Sequence, residues 1–199
     1  MSGASWREYG VSGLPPVLEA ALHLFAERGY HGTSIRDLAA GAGLSVPGLY
    51  HHYRSKQEIL RALLMSVMGD LHERSRAALA SAGGRPSRQF DALVESLLRF
   101  HMFRRPHAFV ASSEIRSLDD AYRAEYVALR DEQQRMVRQV VEAGRGAGEF
   151  MTPYPREAAR AVATLCVGVA TWYREAGPLT PDELIERHIV LARGLVGAL

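Results

Sequence analysis

The stretch from residue 33 to 56, TSIRDLAAGAGLSVPGLYHHYRSK, constrains the fold of this chain more than any other. Its first half places apolar residues at i, i+3, i+4 and i+7, the spacing of one helix face. The Gly-Ala-Gly run at 41–43 then predicts a turn, because glycine adopts positive φ without steric cost. A second helix is predicted at 45–53, with Ser45 as its N-cap and Pro47 in its first turn.

The predicted second helix leaves a face of small and ring-bearing residues outside. Leu49 and Tyr53 can point inward, whereas the residues left outside are Val46, Pro47, Gly48, Tyr50, His51 and His52. Small residues let a backbone approach a groove, and Tyr and His can reach phosphates or base edges. Two helices joined in this way form a helix–turn–helix, which places its second helix in the DNA major groove. An ordinary surface helix of a helical bundle is the alternative interpretation.

Helix-capping residues and one lysine lie at the two ends of this stretch. Thr33 or Ser34 can cap the first helix, and Ser55 with Glu58 predicts a capping box for the next helix. Lys56, the only lysine in the sequence, lies in the first turn of that helix beside free backbone N–H groups. This combination suits a DNA phosphate, although a solvated surface lysine is the alternative.

The pattern extends to the N-terminal side of this stretch. The segments that make up the whole pattern are FAERGY at 25–30, GTSIRDLA at 32–39, AGLS at 42–45 and LYxHYxSK at 49–56. Residues from about 13 to 72 thus resemble the DNA-binding domain of the TetR family of bacterial transcriptional regulators. Two residues depart from the family pattern. Tyr53 stands where Phe is usual, so its hydroxyl needs a partner or must reach solvent. His51 stands where a larger aromatic residue is common, so the base preference stays open.

The TetR resemblance implies which residues contact DNA. In the family, contacts are made by residues that match Thr33, Pro47, Gly48, Tyr50, His51, His52 and Lys56. Together with the capping serines and the exposed valine, the predicted DNA-binding set is Thr33, Ser34, Ser45, Val46, Pro47, Gly48, Tyr50, His51, His52 and Lys56. The predicted partner is a double-stranded DNA operator.

Composition and charge narrow the class of protein. The 199 residues, 47% of them hydrophobic, allow one or two compact domains with a real core. No apolar run approaches the roughly 20 residues of a membrane span, and the first ten residues lack a signal-peptide pattern. A single cysteine, Cys166, excludes an intrachain disulfide, so we expect a cytoplasmic protein without a membrane partner. The net charge of +2 is only mildly basic, so DNA binding depends on charge placement and on two copies acting together.

Helical periodicity extends along the chain, and no repeat or strand pattern interrupts it. After a flexible lead at 1–13, the helices outside the helix–turn–helix are predicted at about 15–28, 56–80, 87–105, 107–117, 120–144, 156–176 and 181–196. The predicted fold is all-α. It has an N-terminal three-helix helix–turn–helix DNA-binding domain at 13–60, a linking helix at 56–80, and a C-terminal helical bundle at 85–199 for ligand binding and dimerisation.

The last two predicted helices are amphipathic, and a monomer could bury only one face of each. Pairing with a second copy would form a four-helix bundle. The TetR resemblance implies the same interface, so we predict a homodimer through the last two helices.

Aromatic residues recur among the aliphatic residues of the later helices, as in a bundle pocket for an apolar ligand. The candidate ligand-binding residues are Phe100, His101, Phe103, Phe109, Tyr122, Tyr126, Met136, Trp172, Tyr173 and Arg174. Ordinary core packing is the alternative for each of them. Glu114 and Gln133 are further candidate polar groups. The segments FRRP at 103–106 and EIRSL at 114–118 resemble TetR regulators of lipid and acyl-CoA catabolism, which implies a hydrophobic or acyl-CoA-type effector.

No motif for catalysis, cofactor binding or metal binding stands out. The sequence has no Gly-rich phosphate loop and no G-x-S-x-G elbow, and Cys166 lies within an apolar helix. His51 and His52 are adjacent and diverge on a helix, so they cannot chelate a metal as an i, i+4 pair. We therefore expect a repressor rather than an enzyme, with no cofactor and no metal. Its effector would shift the fourth helix and release a palindromic operator. The alternative is a helical enzyme or a protein-interaction adaptor that uses the C-terminal cavity.

Overall fold

The structure is a computed structural model that describes residues 6–10 and 12–198. Within these residues the chain is all-α, as predicted, and the one bridge of β type joins Phe150 to Ala198. The helices are α1 Pro16–Arg28, α2 Ile35–Gly41, α3 Val46–His52, α4 Lys56–Ser81, α5 Pro86–Phe103, α6 Arg105–Ser113, α7 Asp120–Gly146, α8 Pro155–Trp172 and α9 Pro181–Val196, with a 3₁₀ turn Glu114–Ser117 after α6.

Two predicted helices end earlier than the periodicity indicated. The helix predicted at 107–117 is α6, which ends at Ser113 and continues as the 3₁₀ turn. Proline lacks a backbone N–H and fits a first turn, so Pro106 lies inside the start of α6 rather than before it. The helix predicted at 156–176 ends at Trp172, because Tyr173 has extended backbone angles, φ −57° and ψ 137°.

The chain forms two compact units, each assembled from separate segments. The head unit comprises residues 10, 12–70 and 106–130, and the body unit comprises residues 6–9, 71–105 and 131–198. The domain limits predicted from the sequence, 13–60 and 85–199, remain predictions. The grouping differs from them at 106–130, which belongs to the head unit rather than to the C-terminal part.

The head unit is built on α1. This helix packs on α2, and α2 packs on α3. Leu22 and Phe25 of α1 are buried together with Leu38 of α2 and Leu49 of α3. A Cβ on Gly41 would lie 3.1 Å from the Cβ of Ala20, so glycine lets α1 and α2 approach closely.

The body unit has its core between three helices. Helix α5 packs on α8 and on α9, which also pack on each other. The Phe90 ring meets the Phe150 ring at 5.2 Å, and a Cβ on Gly144 would overlap the Phe150 ring. Burial raises the pKa of the Cys166 thiol to about 12, which keeps this thiol protonated and supports a structural role.

Residues 6–9 form an N-terminal strap that packs within the body unit. Trp6 is buried against Ala78 and Ala92, and its indole N–H donates to the Ser81 hydroxyl at 3.1 Å. The flexible lead predicted for residues 1–13 is therefore wrong for the strap, because burial of the indole offsets the entropy of ordering the segment. The part of that prediction that falls on residues 1–5 and 11 lies outside the described residues.

Further contacts fix the strap. The Arg7 guanidinium donates to both carboxylate oxygens of Glu95, at 2.7 and 2.9 Å. Arg74 donates to the carbonyl oxygens of Trp6 and Glu8, both at 2.9 Å, and lies 3.9 Å above the Tyr9 ring. The strap thus contacts both α4 and α5 in the body unit.

Candidate nucleic-acid interface

A glycine-terminated turn sets the direction of α3. Gly43 has φ +69°, the left-handed region that favours glycine. Its N–H donates to the Ala40 carbonyl at 3.1 Å, and the Leu44 N–H donates to the Ala39 carbonyl at 2.8 Å. This pair of bonds is a Schellman motif, which closes the end of α2 and leads the chain directly into the cap of α3.

Two serines cap the short helices. The Ser34 hydroxyl accepts from the Asp37 N–H at 3.1 Å, and the Ser34 N–H donates to the Asp37 carboxylate at 2.8 Å, a full capping box. The hydrogen bond from the Ser34 hydroxyl holds the pKa of Asp37 below its usual value. The Ser45 hydroxyl accepts from the Gly48 N–H at 3.1 Å. Both serines are exposed, so capping leaves their positions accessible to a partner.

Helix α3 exposes four of its seven residues to solvent. Leu49 is the residue of this helix that is buried. Pro47, His51 and His52 are exposed, Tyr50 is 47% exposed, and the two remaining positions are half-buried. The residues predicted for the second helix of the motif are therefore brought together on one accessible element of seven residues.

Thr33 does not fit its predicted role as a direct DNA contact. Its side chain is only 1% exposed, and its hydroxyl donates to the Gly29 carbonyl at 2.9 Å and the Leu24 carbonyl at 3.3 Å. The residue fastens the end of α1 to the segment that enters α2. Its burial means that it supports the motif from inside.

Lys56 is engaged within the head unit. Its ammonium donates to the Tyr30 carbonyl at 2.9 Å and to the Thr33 carbonyl at 2.8 Å, and lies 4.1 Å above the Tyr30 ring. Desolvation lowers its pKa. Two of its three N–H donors are thus used internally, so the predicted phosphate contact would depend on the third. The Ser55 hydroxyl accepts from the Glu58 N–H as predicted, but the Glu58 carboxylate accepts from the Arg54 N–H.

The sequence interpretation missed groups of two kinds in the head unit. Arg36 on α2 and Arg54 after α3 are exposed and basic, a signal that was visible in the sequence. Glu114 was predicted to orient a ligand, but its carboxylate is 7% exposed and accepts from the Tyr30 N–H at 3.2 Å. No local pattern could reveal that contact, because it joins residues 84 positions apart.

The predicted ligand-binding residues do not form one group. Those in the body unit are Phe100, His101, Phe103, Met136, Trp172, Tyr173 and Arg174, and those in the head unit are Phe109, Tyr122 and Tyr126. Phe109 and Trp172 are 54% and 53% exposed and Arg174 is also exposed, so these three do not line an enclosed pocket. Phe100, His101, Tyr126, Met136 and Tyr173 are buried, whereas Phe103 and Tyr122 are half-buried.

Packing accounts for several of these side chains. The Phe103 ring meets Tyr9 of the strap at 5.2 Å, and the Trp172 ring stacks on His188 at 5.7 Å. Burial lowers the pKa of His101, whose Nδ1 lies 2.7 Å from the Leu97 carbonyl. The body unit also has a cavity of about 440 Å³, but none of the predicted ligand-binding residues lines it. Its lining residues are Arg85, Ser87, Arg88, Asp91, Gly148, Glu149, Arg193 and Ala198.

Residues 6–10 and 12–198 contain neither a set of metal-ligating side chains nor a helix suited to span a membrane. In that part of the chain, no group of three or more His, Cys, Asp or Glu side chains could hold a metal ion. None of its helices combines the length and the apolar character that crossing a membrane requires.

Comparison with known proteins identifies the class. The C-terminal domain model of tetracyclin repressor-like proteins matches residues 83–196, and the model of bacterial regulatory proteins of the tetR family matches residues 17–63. The chain belongs to the TetR family of bacterial regulatory proteins, as the resemblance in its helix–turn–helix predicted.

Individual relatives extend the match over most of the chain. The HTH-type transcriptional repressor KstR2 of Mycobacterium tuberculosis is 31% identical over 182 residues, which cover 89% of this chain and 90% of KstR2. A tetR-family regulatory protein from Rhodococcus RHA1 has a TM-score of 0.83 at 25% identity, covering 96% of this chain and 100% of that one. AibR, solved in complex with isovaleryl coenzyme A and operator DNA, shares the fold with a TM-score of 0.79 at 22% identity, covering 92% and 97%.

Proposed function

We propose that this chain is a ligand-responsive transcriptional repressor whose α3 enters the major groove of a palindromic operator. The observation that carries the proposal is the accessible face of α3, with only Leu49 buried beneath it. Tyr50, His51 and His52 contact base edges or phosphates, and Pro47 and Gly48 let the helix backbone come close. The relative named as a repressor supports the direction of regulation. Such a protein acts on the chromosome, which places it in the bacterial cytoplasm.

Residues around α3 take supporting roles in this proposal. The exposed residues Ser34 and Ser45, together with Arg36 and Arg54, bind backbone phosphates and set the register of α3 in the groove. Thr33 and Lys56 position the motif from inside, and the remaining ammonium N–H of Lys56 is available for a phosphate.

The test uses a duplex enriched from a random library by the full-length protein. Tyr50→Ala removes a ring that meets the bases, so we expect affinity for this duplex to fall by about 5- to 100-fold, the range of a specific contact. Tyr154→Ala is the matched control, because Tyr154 is 67% exposed but belongs to the body unit. Fluorescence anisotropy titrations at fixed salt concentration measure both variants. Equal affinities for wild type and Tyr50→Ala would contradict the proposed role of α3.

A palindromic operator requires two copies of the reading helix. Large apolar side chains remain exposed on the last two helices of the body unit, and these are Val167, Trp172, Val190, Leu191 and Leu195. Apolar patches of this kind mark association surfaces, and α8 and α9 of two copies can form a four-helix bundle. We propose that the homodimer forms through this surface.

We propose that the effector is a hydrophobic or acyl-CoA-type molecule that binds the C-terminal part of the chain. Among the described residues, the buried hydroxyl oxygens of Ser96 and Tyr173 have no hydrogen-bond partner. Ser96 lies on α5 and Tyr173 directly follows α8, and these two helices pack on each other in the body unit. Buried polar atoms are nearly always paired, so a bound molecule with a polar group would complete this interior. The acyl-CoA complex of AibR supports the chemical class.

The effector proposal is tested with isovaleryl-CoA and longer acyl-CoA thioesters. We expect at least one thioester to raise the melting temperature with increasing concentration and to release the enriched duplex, because a ligand must prefer one state to shift an equilibrium. Free coenzyme A is the control for binding through the nucleotide alone. If no thioester raises the melting temperature above that control, the acyl-CoA class is excluded.

A further inference from the structure

The backbone of Tyr30, in the turn between α1 and α2, is held at both its N–H and its carbonyl. Its N–H donates to the Glu114 carboxylate at 3.2 Å, and its carbonyl accepts from the Lys56 ammonium at 2.9 Å. The Tyr30 side chain is 7% exposed, and its ring meets the Phe25 ring at 5.6 Å. This turn is therefore fixed by groups that come from two other parts of the head unit.

Glu114, the first residue of the 3₁₀ turn, is itself held firmly. Its Oε1 accepts from the Ser113 hydroxyl at 3.1 Å, and its Oε2 accepts from the Ser117 hydroxyl at 3.1 Å as well as from Tyr30. A buried carboxylate is tolerated when several donors surround it, and hydrogen bonds to a charged acceptor are the strong ones. This carboxylate is thus a rigid anchor at the end of α1.

Gln57 closes the arrangement from the start of α4. Its side-chain amide N–H donates to the Ser117 carbonyl at 2.6 Å, and its amide oxygen accepts from the Asp119 N–H at 3.1 Å. The 3₁₀ turn is therefore bonded to the beginning of α4 through Gln57 and to the turn before α2 through Glu114. The neighbouring residue Lys56 completes a ring of contacts through the Tyr30 carbonyl.

We propose that the 3₁₀ turn Glu114–Ser117 is part of the DNA-reading apparatus and that Glu114 is a positioning residue for it. Tyr30 lies four residues before Ser34, the N-cap of α2. Holding the Tyr30 backbone in place therefore sets the position at which α2, and then α3, begins. The inference rests on the proposed function, because it assigns the geometry of α3 to residues far from it in the sequence. Glu114 acts through Tyr30 and does not itself meet DNA.

The experiment uses the full-length protein with two readouts, amide hydrogen exchange at Tyr30 and affinity for the enriched duplex. In Glu114→Ala we expect the Tyr30 amide to exchange at least about tenfold faster and duplex affinity to fall by about tenfold, since the amide loses its acceptor. Glu114→Gln retains a carbonyl acceptor and should restore both readouts toward wild type. Glu125→Ala is the matched control, because the exposed Glu125 carboxylate accepts from the half-buried Arg61 guanidinium at 2.7 Å in the same unit. This variant should change neither readout.

A second variant covers the case in which Glu114→Ala does not fold. Gln57→Met keeps the length of the side chain but removes its bonds to the Ser117 carbonyl and to the Asp119 N–H. We therefore expect faster exchange at the Asp119 amide and a severalfold weaker duplex affinity. Unchanged exchange at Tyr30 in Glu114→Ala would overturn the anchoring role. Faster exchange with unchanged duplex affinity would overturn the link to DNA reading. A wild-type protein that enriches no duplex would defeat the proposed function instead, while the exchange measurement would still test the anchor.

Discussion

At the scale of single residues, the head unit shows how one side chain can resemble a ligand contact and still serve the fold. Lys56 has the position expected of a phosphate-binding residue, yet its ammonium bonds to two carbonyl oxygens of its own chain. Thr33 is similar, because its hydroxyl bonds to two carbonyl oxygens near the end of α1. Both residues belong to the family pattern, and both fasten the segment that precedes α2.

Lys56→Met separates the internal role of this lysine from a phosphate contact. The variant keeps an unbranched apolar stem but removes the ammonium from the carbonyls of Tyr30 and Thr33, of which the former still accepts from the Thr33 N–H at 3.3 Å. We expect the free protein to lose about 1–3 kcal/mol of stability, the cost of losing two part-buried hydrogen bonds from a charged donor. For a chain of this length that corresponds to a melting temperature lower by about 2–12 °C.

The control for this prediction is Arg54→Met, which removes an exposed cation two residues earlier and should leave the melting temperature unchanged. A Lys56→Met protein with normal stability would contradict the internal role. If its duplex affinity also became less dependent on salt by about one unit of slope, the lysine would act as a phosphate contact.

At the scale of structural elements, the sequence predicts hydrogen bonds between neighbouring residues, such as helix caps, but not contacts between distant segments. The caps at Ser34 and Ser45 follow from residues within three positions of each other, and each bond is present. The strap was missed because the partners of Trp6 on α4 and α5 lie more than 70 positions away, as its bond to Ser81 illustrates. Periodicity describes one face of one helix, so it cannot report which segment covers that face.

The strap can be tested by its own fluorescence. The sequence holds two tryptophans, and Trp6 is 7% exposed whereas Trp172 is 53% exposed. In Trp172→Phe the emission comes from Trp6 alone, and we expect it to be blue-shifted and poorly quenched by iodide. The reference is the same variant unfolded in guanidinium chloride, because Trp172 lies on the surface proposed for the dimer and its own exposure depends on association. Quenching of the native variant as strong as that of the unfolded one would show that the strap is not docked.

Docking of the strap on the body unit should also depend on pH. Burial acts to raise the pKa of Glu95, but hydrogen bonds and charge from Arg7 and Arg99 outweigh it, so its pKa lies below the usual 4.5. A carboxyl with a lowered folded-state pKa contributes stability above 4.5 that is lost as the pH falls through the lower value. We therefore expect Trp6 in Trp172→Phe to stay shielded at pH 5 and above and to become quenchable only in stronger acid. In the double variant Trp172→Phe/Glu95→Gln, Trp6 should be quenchable by iodide already at neutral pH.

At the scale of the whole molecule, the proposed dimer makes the operator affinity depend on a surface far from α3 in the sequence. Val190 and Leu191 on α9 are 67% and 57% exposed, and an apolar pair of this kind is costly to leave in water. We expect wild type to have about twice the chain mass of 21.9 kDa by light scattering, and Leu191→Glu to have the mass of one chain. The variant should also bind the enriched duplex more weakly, because it loses the second reading helix.

Phe109→Glu provides the control for the dimer prediction. Phe109 is also apolar and 54% exposed, but it lies on α6 in the head unit, outside the proposed surface. This variant should keep the mass of the wild type. If both variants keep it, α9 is not the dimer interface.

The composition of the head unit has a practical consequence for engineering. A fragment cut after residue 70 would contain all three helices of the motif but would lack residues 106–130. It would therefore lose the Glu114 carboxylate that accepts from the Tyr30 N–H. Grafting this DNA reader onto a foreign sensor therefore calls for two inserted pieces rather than one. A chimaera joined at a single point would carry its recognition helix on an incompletely supported base.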